Sequence, residues 1–453
     1  MKNKNSLVII LIILCFACNK AYLDIKPDKK LTVPTTLDDF QAMLDNNDVM
    51  NTYTPGLGEV SADDYYVLYD RWNLLTQPEQ KNGYIWAKDF YQGSTSLRDD
   101  WTGRYQQVFY ANCVLEGLQK LNASNQADFY NNIKGSALFM RGFAFYQLAQ
   151  LFCGPFDKNT TNAGAGIHIR LTADLNAPIT RESIAQSYQQ ILSDVKEAIS
   201  LLPFTSPYKT RPVKASAYAL LSRVYLTMQD YDNALRYADS VINGNVNLLD
   251  FNKLNTAASF PMQRFNQEVI FHSTMTTFTI LLTSRLIIDS TLYKSYHNND
   301  LRKTAWFRNN AGNWTYKGSY DGSSTFFSGL AIDECYLTKA ECLARKGDSR
   351  EALNVLNTLL TTRFKTGTYM PLTATNDKEA LQIILNERRK ELLFRGIRWS
   401  DLRRNNLDPT TATTLSRVLN GITYTLKPNS SNYTLPIRDN VIQMSGIQQN
   451  PRE

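Results

Sequence analysis

Histidine is scarce in this chain. Only His168, His272 and His297 occur among 453 residues, too far apart in sequence for the close spacings of a metal-binding helix or a nucleophile–base pair. A histidine-built metal or acyl-transfer site is therefore not expected. Of the six cysteines, Cys15 and Cys18 belong to the N-terminal leader and its end, and none of the other four forms a C-x-x-C pair. Cys113, Cys153, Cys335 and Cys342 sit in apolar helical patterns, where cysteine acts as a small buried hydrophobe, so free thiols are expected rather than disulfides. No long basic run exists: the net charge of +7 falls to +5 once Lys2 and Lys4 leave with the leader, and it is spread too thinly for a nucleic-acid partner. Beyond the N-terminus no stretch approaches the ~20 apolar residues of a spanning helix. Gly164-Ala165-Gly166 lacks the third glycine and the preceding strand of a phosphate loop, and it reads as a surface loop. Neither a cofactor nor a metal is expected.

What is present begins with a secretory leader. Lys2 and Lys4 precede an apolar run from Leu7 to Ala17, too short to span a bilayer. Small Ala17 stands just before Cys18, as lipoprotein cleavage requires, whereas Leu14 before Cys15 does not fit. Residues 1–17 are thus read as signal peptide and Cys18 as the lipidated residue, whose acyl chains, at roughly 0.8 kcal/mol per buried methylene, would hold the protein at a membrane. A lipid-anchored segment, 18–50, leads into a single unit over 51–453.

Apolar residues then recur at helical spacing. Ala217, Leu220, Leu221, Val224 and Met228 form one stripe; after Gln229-Asp230, Tyr231, Ala234, Leu235, Ala238, Val241 and Ile242 form its return. Ile332, Cys335, Tyr336, Ala340 and Leu343, the turn at Gly347-Asp348, and Ala352, Leu353, Leu356, Leu359 and Leu360 repeat the design. The offset of 118 residues between Asp230 and Asp348 also superposes Ala234 on Ala352 and Tyr218 on Tyr336. A small residue after the turn and an aromatic in the first helix is the tetratricopeptide pattern. With helices predicted at Leu97–Leu118, Phe129–Leu151, Ile184–Leu202 and Lys378–Arg395, the fold class is mainly α, with about four helix pairs. Repeats cover about 97–243 and 329–404, a loop-rich, partly β insertion about 244–328, and a tail 405–453. A long insertion in a helical scaffold is usually functional, and Val269-Ile270-Phe271 reads as strand within it.

Two features bear on chemistry. The charge-dense string from Glu387 to Arg404 has the i,i+4 spacing of structural ion pairs; Lys390 and Arg395 fall within reach of its acids, and Arg398, Trp399 and Asp401 are expected to lock the last helix onto the insertion. Hydrolysis of glycosidic bonds needs two carboxyls roughly 5–10 Å apart across the bond, and the adjacent pairs Asp63-Asp64 and Asp99-Asp100 give no sign of that. No catalytic residue is assigned. Aromatics, by contrast, are interleaved with amides and glycine. Tyr65, Tyr69, Trp72, Trp86, Tyr91, Trp306, Trp314 and Tyr316 are the candidate ligand residues, because sugar rings stack their C–H faces on aromatic planes while their hydroxyls meet polar groups. Trp101 and Tyr105, on the helical stripe, are expected to plug the scaffold.

Several separate strings, in order, resemble the SusD/RagB family: Tyr22-Leu23-Asp24-Ile25-Lys26-Pro27; Trp101, Tyr105 and Asn112; Leu138 to Leu148 with Leu151-Phe152-Cys153-Gly154-Pro155; Glu268 to Phe271; Asp300-Leu301-Arg302; Asn386 to Glu391; Gly396 to Arg404; and Leu435-Pro436-Ile437 with Gln449-Asn450-Pro451. The chain departs from the family at Leu330-Ala331, where an arginine usually enters the helix. The resemblance implies a surface-exposed outer-membrane lipoprotein without enzymatic activity. It would bind a glycan or another nutrient and deliver it to a SusC-like TonB-dependent transporter, with the repeats as contact face. Two rival readings are a tetratricopeptide-type scaffold for another protein, which expects the insertion's aromatics to be buried, and a periplasm-facing lipoprotein hydrolase, which needs converging carboxyls.

Overall fold

The computed structural model describes residues 33–96, 99–121, 124–244 and 246–453. The leader 1–17, Cys18, the Tyr22–Pro27 string and Leu97, the expected start of the first repeat helix, lie outside the described residues. Three short helices come first, α1 (Leu37–Leu44), α2 (Asn47–Met50) and α3 (Leu57–Ser61), then strand β1 (Tyr65–Tyr66), α4 (Tyr69–Asn73) and α5 (Pro78–Tyr84). The long helices α6 (Asp100–Leu118), α7 (Ala127–Phe152), α8 (Ile184–Leu201), α9 (Lys214–Thr227) and α10 (Tyr231–Ile242) follow. The insertion carries β2 (Val269–Phe271), β3 (Ile287–Ile288), α11 (Ser290–Ser295), α12 (Arg302–Trp306), β4 (Phe307–Asn310) and β5 (Asn313–Tyr316). Strand β6 (Leu330–Ala331) leads into α13 (Ile332–Arg345), α14 (Ser349–Thr361), α15 (Asp377–Glu391) and α16 (Arg398–Asn405); β7 (Leu415–Leu419), β8 (Ile422–Leu426) and α17 (Asp439–Ser445) complete the chain. Helix at 47% against 8% strand makes the fold mainly α, as the periodicity implies.

The two matched hairpins are equivalent in detail. Asp230 caps α10 by accepting from Asn233 N at 3.1 Å, and Asp348 caps α14 by accepting from Glu351 N at 3.2 Å. Ala234 and Ala352, one turn on, are fully buried, so the small residue lets each helix approach its partner. α6 packs on α7, α7 on α8, α8 on α9, α9 on α10, and α10 on α13, which holds α14 and α15. Close approach of α7 and α8 needs Gly142, where a Cβ would stand 2.7 Å from Val195. A bidentate Arg141–Asp194 pair at 2.7–2.8 Å, shared with Asn112, pins three helices at one point. Helix α15 stops at Glu391 rather than Arg395, because Phe394 and Gly396 take left-handed backbone angles that a helix cannot continue.

Residues 37–50, read from sequence as part of a leading segment, pack against α6 and α7 and contribute Leu37, Phe40, Leu44, Val49 and Met50 to the repeat core. The insertion builds a second apolar core around Trp306, Phe307, Tyr316, Tyr320, Phe326 and Phe327, which also takes in Tyr65 and Tyr84 from before the repeats. Four two-stranded antiparallel ladders, β1–β3, β2–β6, β4–β5 and β7–β8, complete the described fold. Cys153, Cys335 and Cys342 are buried, Cys113 is half-buried, and all four are free.

Candidate functional site

The insertion is tied to the repeats by a buried ionic lattice. Arg302 donates to Asp300, to Glu387 at 2.7 Å and to Glu391 at 2.8 Å; Arg363 donates to Glu391 at 2.7 Å and to Glu268 at 2.8 Å. Arg395 meets Asp333 at 3.1 Å, and Lys390 meets Glu387 at 2.5 Å. The charge-dense string is therefore structural, but part of it locks different partners from those expected. Arg398 pairs with Asp63 at 2.6 Å, and the Trp399 indole N–H donates to the Tyr433 carbonyl, so this helix is fastened to the segment before β1 and to the tail, not to the insertion. Asp401 stays local, bound to Arg388 and Arg404. Burial works to raise the Asp63 carboxyl, yet Arg398 and Arg389 outweigh it and hold Asp63 well below its usual range. Asp63 remains ionised and engaged, which disqualifies it as a general acid.

Four of the eight candidate rings are core residues. Tyr65 donates its hydroxyl to Val60 O at 2.8 Å, Trp86 its indole N–H to Ser61 O at 2.9 Å, Trp306 packs edge-on against Phe251 and Tyr296, and Tyr316 lies against Phe326 and Phe394. All four are 5% exposed or less, so none offers a face to a ligand, and as stacking residues they are corrected here. Polar neighbours in sequence mislead because the chain there is irregular, and no local period separates inward from outward rings. Tyr91 is half-buried, with the Arg438 guanidinium 4.6 Å over its ring, and serves to hold the tail.

Tyr69, Trp72 and Trp314 remain accessible, joined by Tyr293, which the sequence reading missed. Tyr69 and Trp72 pair on α4 with centroids 6.0 Å apart; Tyr293 and Trp314 stack at 4.3 Å and 16°. On the β4–β5 hairpin Trp314 and Tyr316 share a face by period-2 alternation, but Tyr316 reaches the core while Trp314, nearer the Ala311-Gly312 turn, stays at its rim. Segment 283–288 connects the two pairs. Arg285 donates to Arg71 O at 2.6 Å beside Trp72, Arg308 of β4 donates to Thr283 at 3.2 Å, and Ile287-Ile288 pair with Tyr66-Tyr65. Leu68, Leu74 and Leu282 lie exposed around these rings, and Asn309, Asn310 and Asn313 edge the hairpin. No pattern could have found Tyr293, since its place over Trp314 is set by the turn from β3 into α11.

Beneath α16 lies a small cavity of about 40 Å³ whose lining includes Glu59, Gln147, Gln150, Arg395 and Trp399. Glu59 accepts from Gly396 N at 3.0 Å through one oxygen, and the other finds no partner among the described residues. Burial, reinforced by the Asp64 charge, raises its pKa to about 8. An unfolded glutamate releases its proton near 4.5, so between pH 4.5 and 8 the unfolded chain gives up a proton that the folded protein keeps, and stability falls as pH rises. Glu59→Gln, which cannot titrate, is expected to gain on the wild type across that window at up to about 1.4 kcal/mol per pH unit. Denaturant unfolding at pH 5 and pH 8 checks this; a constant difference would contradict it.

Helical repeats carrying an aromatic-rimmed insertion define a binding scaffold. Residues 21–226 match a family described as starch-binding and associating with the outer membrane, and residues 330–452 match the SusD family. The chain belongs to the SusD family. SusD-like protein P38 of Formosa agariphila is 23% identical over 68% of this chain and 72% of its own length. SusD-like protein P2 of the same organism is 29% identical over 32% of this chain, and that match spans only about a quarter of the relative, 26%. Among solved structures, a SusD superfamily protein from Bacteroides thetaiotaomicron shares the fold at TM-score 0.75 and 24% identity, covering 92% of this chain and 100% of that one. A SusD-like carbohydrate binding protein from Bacteroides vulgatus does so at TM-score 0.68 and 20% identity, covering 91% and 97%. No helix among the described residues is long and apolar enough to cross a membrane.

Proposed function

We propose that this protein is an outer-membrane lipoprotein, anchored through Cys18 and surface-exposed, that captures an oligosaccharide and passes it to a SusC-like TonB-dependent transporter without covalent chemistry. The observation that carries the reading is the pair of part-exposed aromatic platforms, Tyr69/Trp72 and Tyr293/Trp314, bridged by segment 283–288. Flat rings with amides at their edges suit saccharide faces and hydroxyls. Carbohydrate binding in relatives of the same fold supports it. The leader 1–17, the anchored segment from 18 and the unit through 453 belong to this reading. An apolar cleft of about 350 Å³ on the repeats, with Tyr105, Phe109 and Val441 in its walls and Leu175 73% exposed at its lip, supports a protein partner on that side. A scaffold without a small ligand is the second reading. The burial of Trp306 and Tyr316 favours it, and the accessible Trp314 counts against it.

Calorimetry with plant and host oligosaccharides, with product release assayed in parallel, tests the proposal. Trp72→Ala and Trp314→Ala are each expected to weaken binding by about 1 kcal/mol, roughly five-fold, with no fall in melting temperature. Unchanged binding in both variants would move the site elsewhere, and sugar release would overturn the reading of a pure binding protein.

A further inference from the structure

The charges around the Tyr69/Trp72 platform are not balanced. Arg285 reaches the Arg71 carbonyl at 2.6 Å, which sets its guanidinium beside the residue preceding Trp72, and it meets no carboxylate among the described residues. Arg71, which precedes Trp72 on α4, likewise has no carboxylate partner among the described residues and is only half-buried. The Lys81 ammonium stands 5.2 Å from the Trp72 centroid and donates only to the Asn73 carbonyl. Arg308, on the hairpin that carries Trp314, donates to a threonine hydroxyl and to no acid. Against these four cations stand Asp70, exposed on α4, and Asp289, already engaged in capping α11 by accepting from Leu292 N at 2.8 Å.

Structural arginines elsewhere in the fold have several partners each, either carboxylates or, as for Arg403 and Arg417, a set of backbone carbonyls, whereas Arg285 has the one carbonyl. Arg302 has three carboxylate partners, Arg363 two, and Arg389 two. An arginine fork without an internal carboxylate, held by one carbonyl next to an aromatic plane, is set up for a bidentate anion from outside. A pyranose bearing a carboxylate or sulfate presents both parts at once: an apolar C–H face for the ring and an equatorial anion at its edge.

We infer that the platform selects an anionic saccharide, a uronate or a sulfated sugar, through Arg71 and Arg285 beside Tyr69 and Trp72. This rests on the oligosaccharide-capture reading above and narrows its substrate class. Lys81 and Arg308 extend the positive field along the track between the two aromatic pairs. Attraction of this kind weakens with salt, because exposed charges are screened over about 8–10 Å at ordinary ionic strength.

The test is calorimetry of the mature protein with three tetrasaccharide probes: a neutral cellotetraose, a tetragalacturonate and a sulfated carrageenan tetraose. At about 50 mM salt at least one anionic probe is expected to bind roughly ten-fold tighter than the neutral one, with the advantage shrinking at about 500 mM. Whether tetragalacturonate or the carrageenan probe is preferred separates carboxylate from sulfate. Arg71→Gln leaves the carbonyl that holds Arg285 in place, so it removes charge alone; it is expected to cut anionic binding about ten-fold, and Arg285→Gln, which also removes the bond to that carbonyl, by at least as much. Equal or better binding of cellotetraose, or an anionic preference untouched by both variants, overturns this inference and leaves the platform standing if Trp72→Ala still weakens binding. Failure of every probe, or binding indifferent to both Trp72→Ala and Trp314→Ala, overturns the platform itself and this inference with it.

Discussion

Glu391→Ala is expected to lower the free energy of unfolding by about 3–5 kcal/mol. The carboxylate is fully enclosed and serves two arginines, accepting from Arg302 through one oxygen at 2.8 Å and from Arg363 through the other at 2.7 Å. Both guanidiniums are themselves wholly buried, so removing the acid leaves two charges in a low-dielectric interior with one partner fewer each. Neither can turn to water, because Arg302 is clamped among Asp300, Glu387 and the Tyr296 ring, and Arg363 is held by Glu268 and the Leu249 carbonyl. Denaturant unfolding measures the loss, and a change under about 1 kcal/mol would mean that the lattice relaxes or admits water. Because Glu391 closes α15 and Arg302 opens α12, the variant should also loosen the insertion relative to the repeats, seen as faster amide exchange in residues 300–316.

Gly329→Ala should cost about 3 kcal/mol or more. Its Cβ would stand 2.1 Å from the Phe271 carbonyl oxygen and 2.8 Å from the Phe327 ring, and the first of these is backbone that cannot swing aside. Phe271 pairs with Leu330 in the β2–β6 ladder, and the Gly329 carbonyl accepts from Arg223 at 2.9 Å, so any shift opens the ladder or breaks that contact with an arginine already bound to Glu334. Gly154→Ala is the control: its Cβ would meet only the end of the Ile184 side chain at 3.4 Å, and a change within about 0.5 kcal/mol is expected. Thermal and denaturant unfolding of the two variants side by side checks this; equal stability would show that the β2–β6 junction yields easily.

Both predictions concern the junction between repeats and insertion, and they explain how far the sequence could be read. The charge string announced ion pairs through local spacing, and Lys390 with Glu387 was visible that way. Its principal partners, Arg302 and Arg363, lie 85 and 28 residues from Glu387 and Glu391, beyond any local pattern. Arg398 reaches Asp63 across 335 residues, which is why the expected clasp onto the insertion was misplaced. Among aromatics the same limit applies. Trp101, on a helical stripe, was legible as core and is 5% exposed, although its neighbour Tyr105 stays half-exposed and forms part of the apolar cleft. Outside the helices no period tells an inward ring from an outward one, and of the eight proposed stacking residues three, Tyr65, Trp306 and Tyr316, fill the second core and Trp86 fills the first.

By itself, the sequence determined the helical class, the matched hairpins with their aspartate caps and buried alanines, and the family, because each depends on spacing within a few turns of helix or on strings of adjacent residues. Only the tertiary structure decided which rings face out, that Tyr293 stacks on Trp314, and that Arg285 stands beside Arg71 across 214 residues of chain. Burial and charge balance at a loop-built site depend on which distant segments meet, and that is fixed by packing rather than by local pattern.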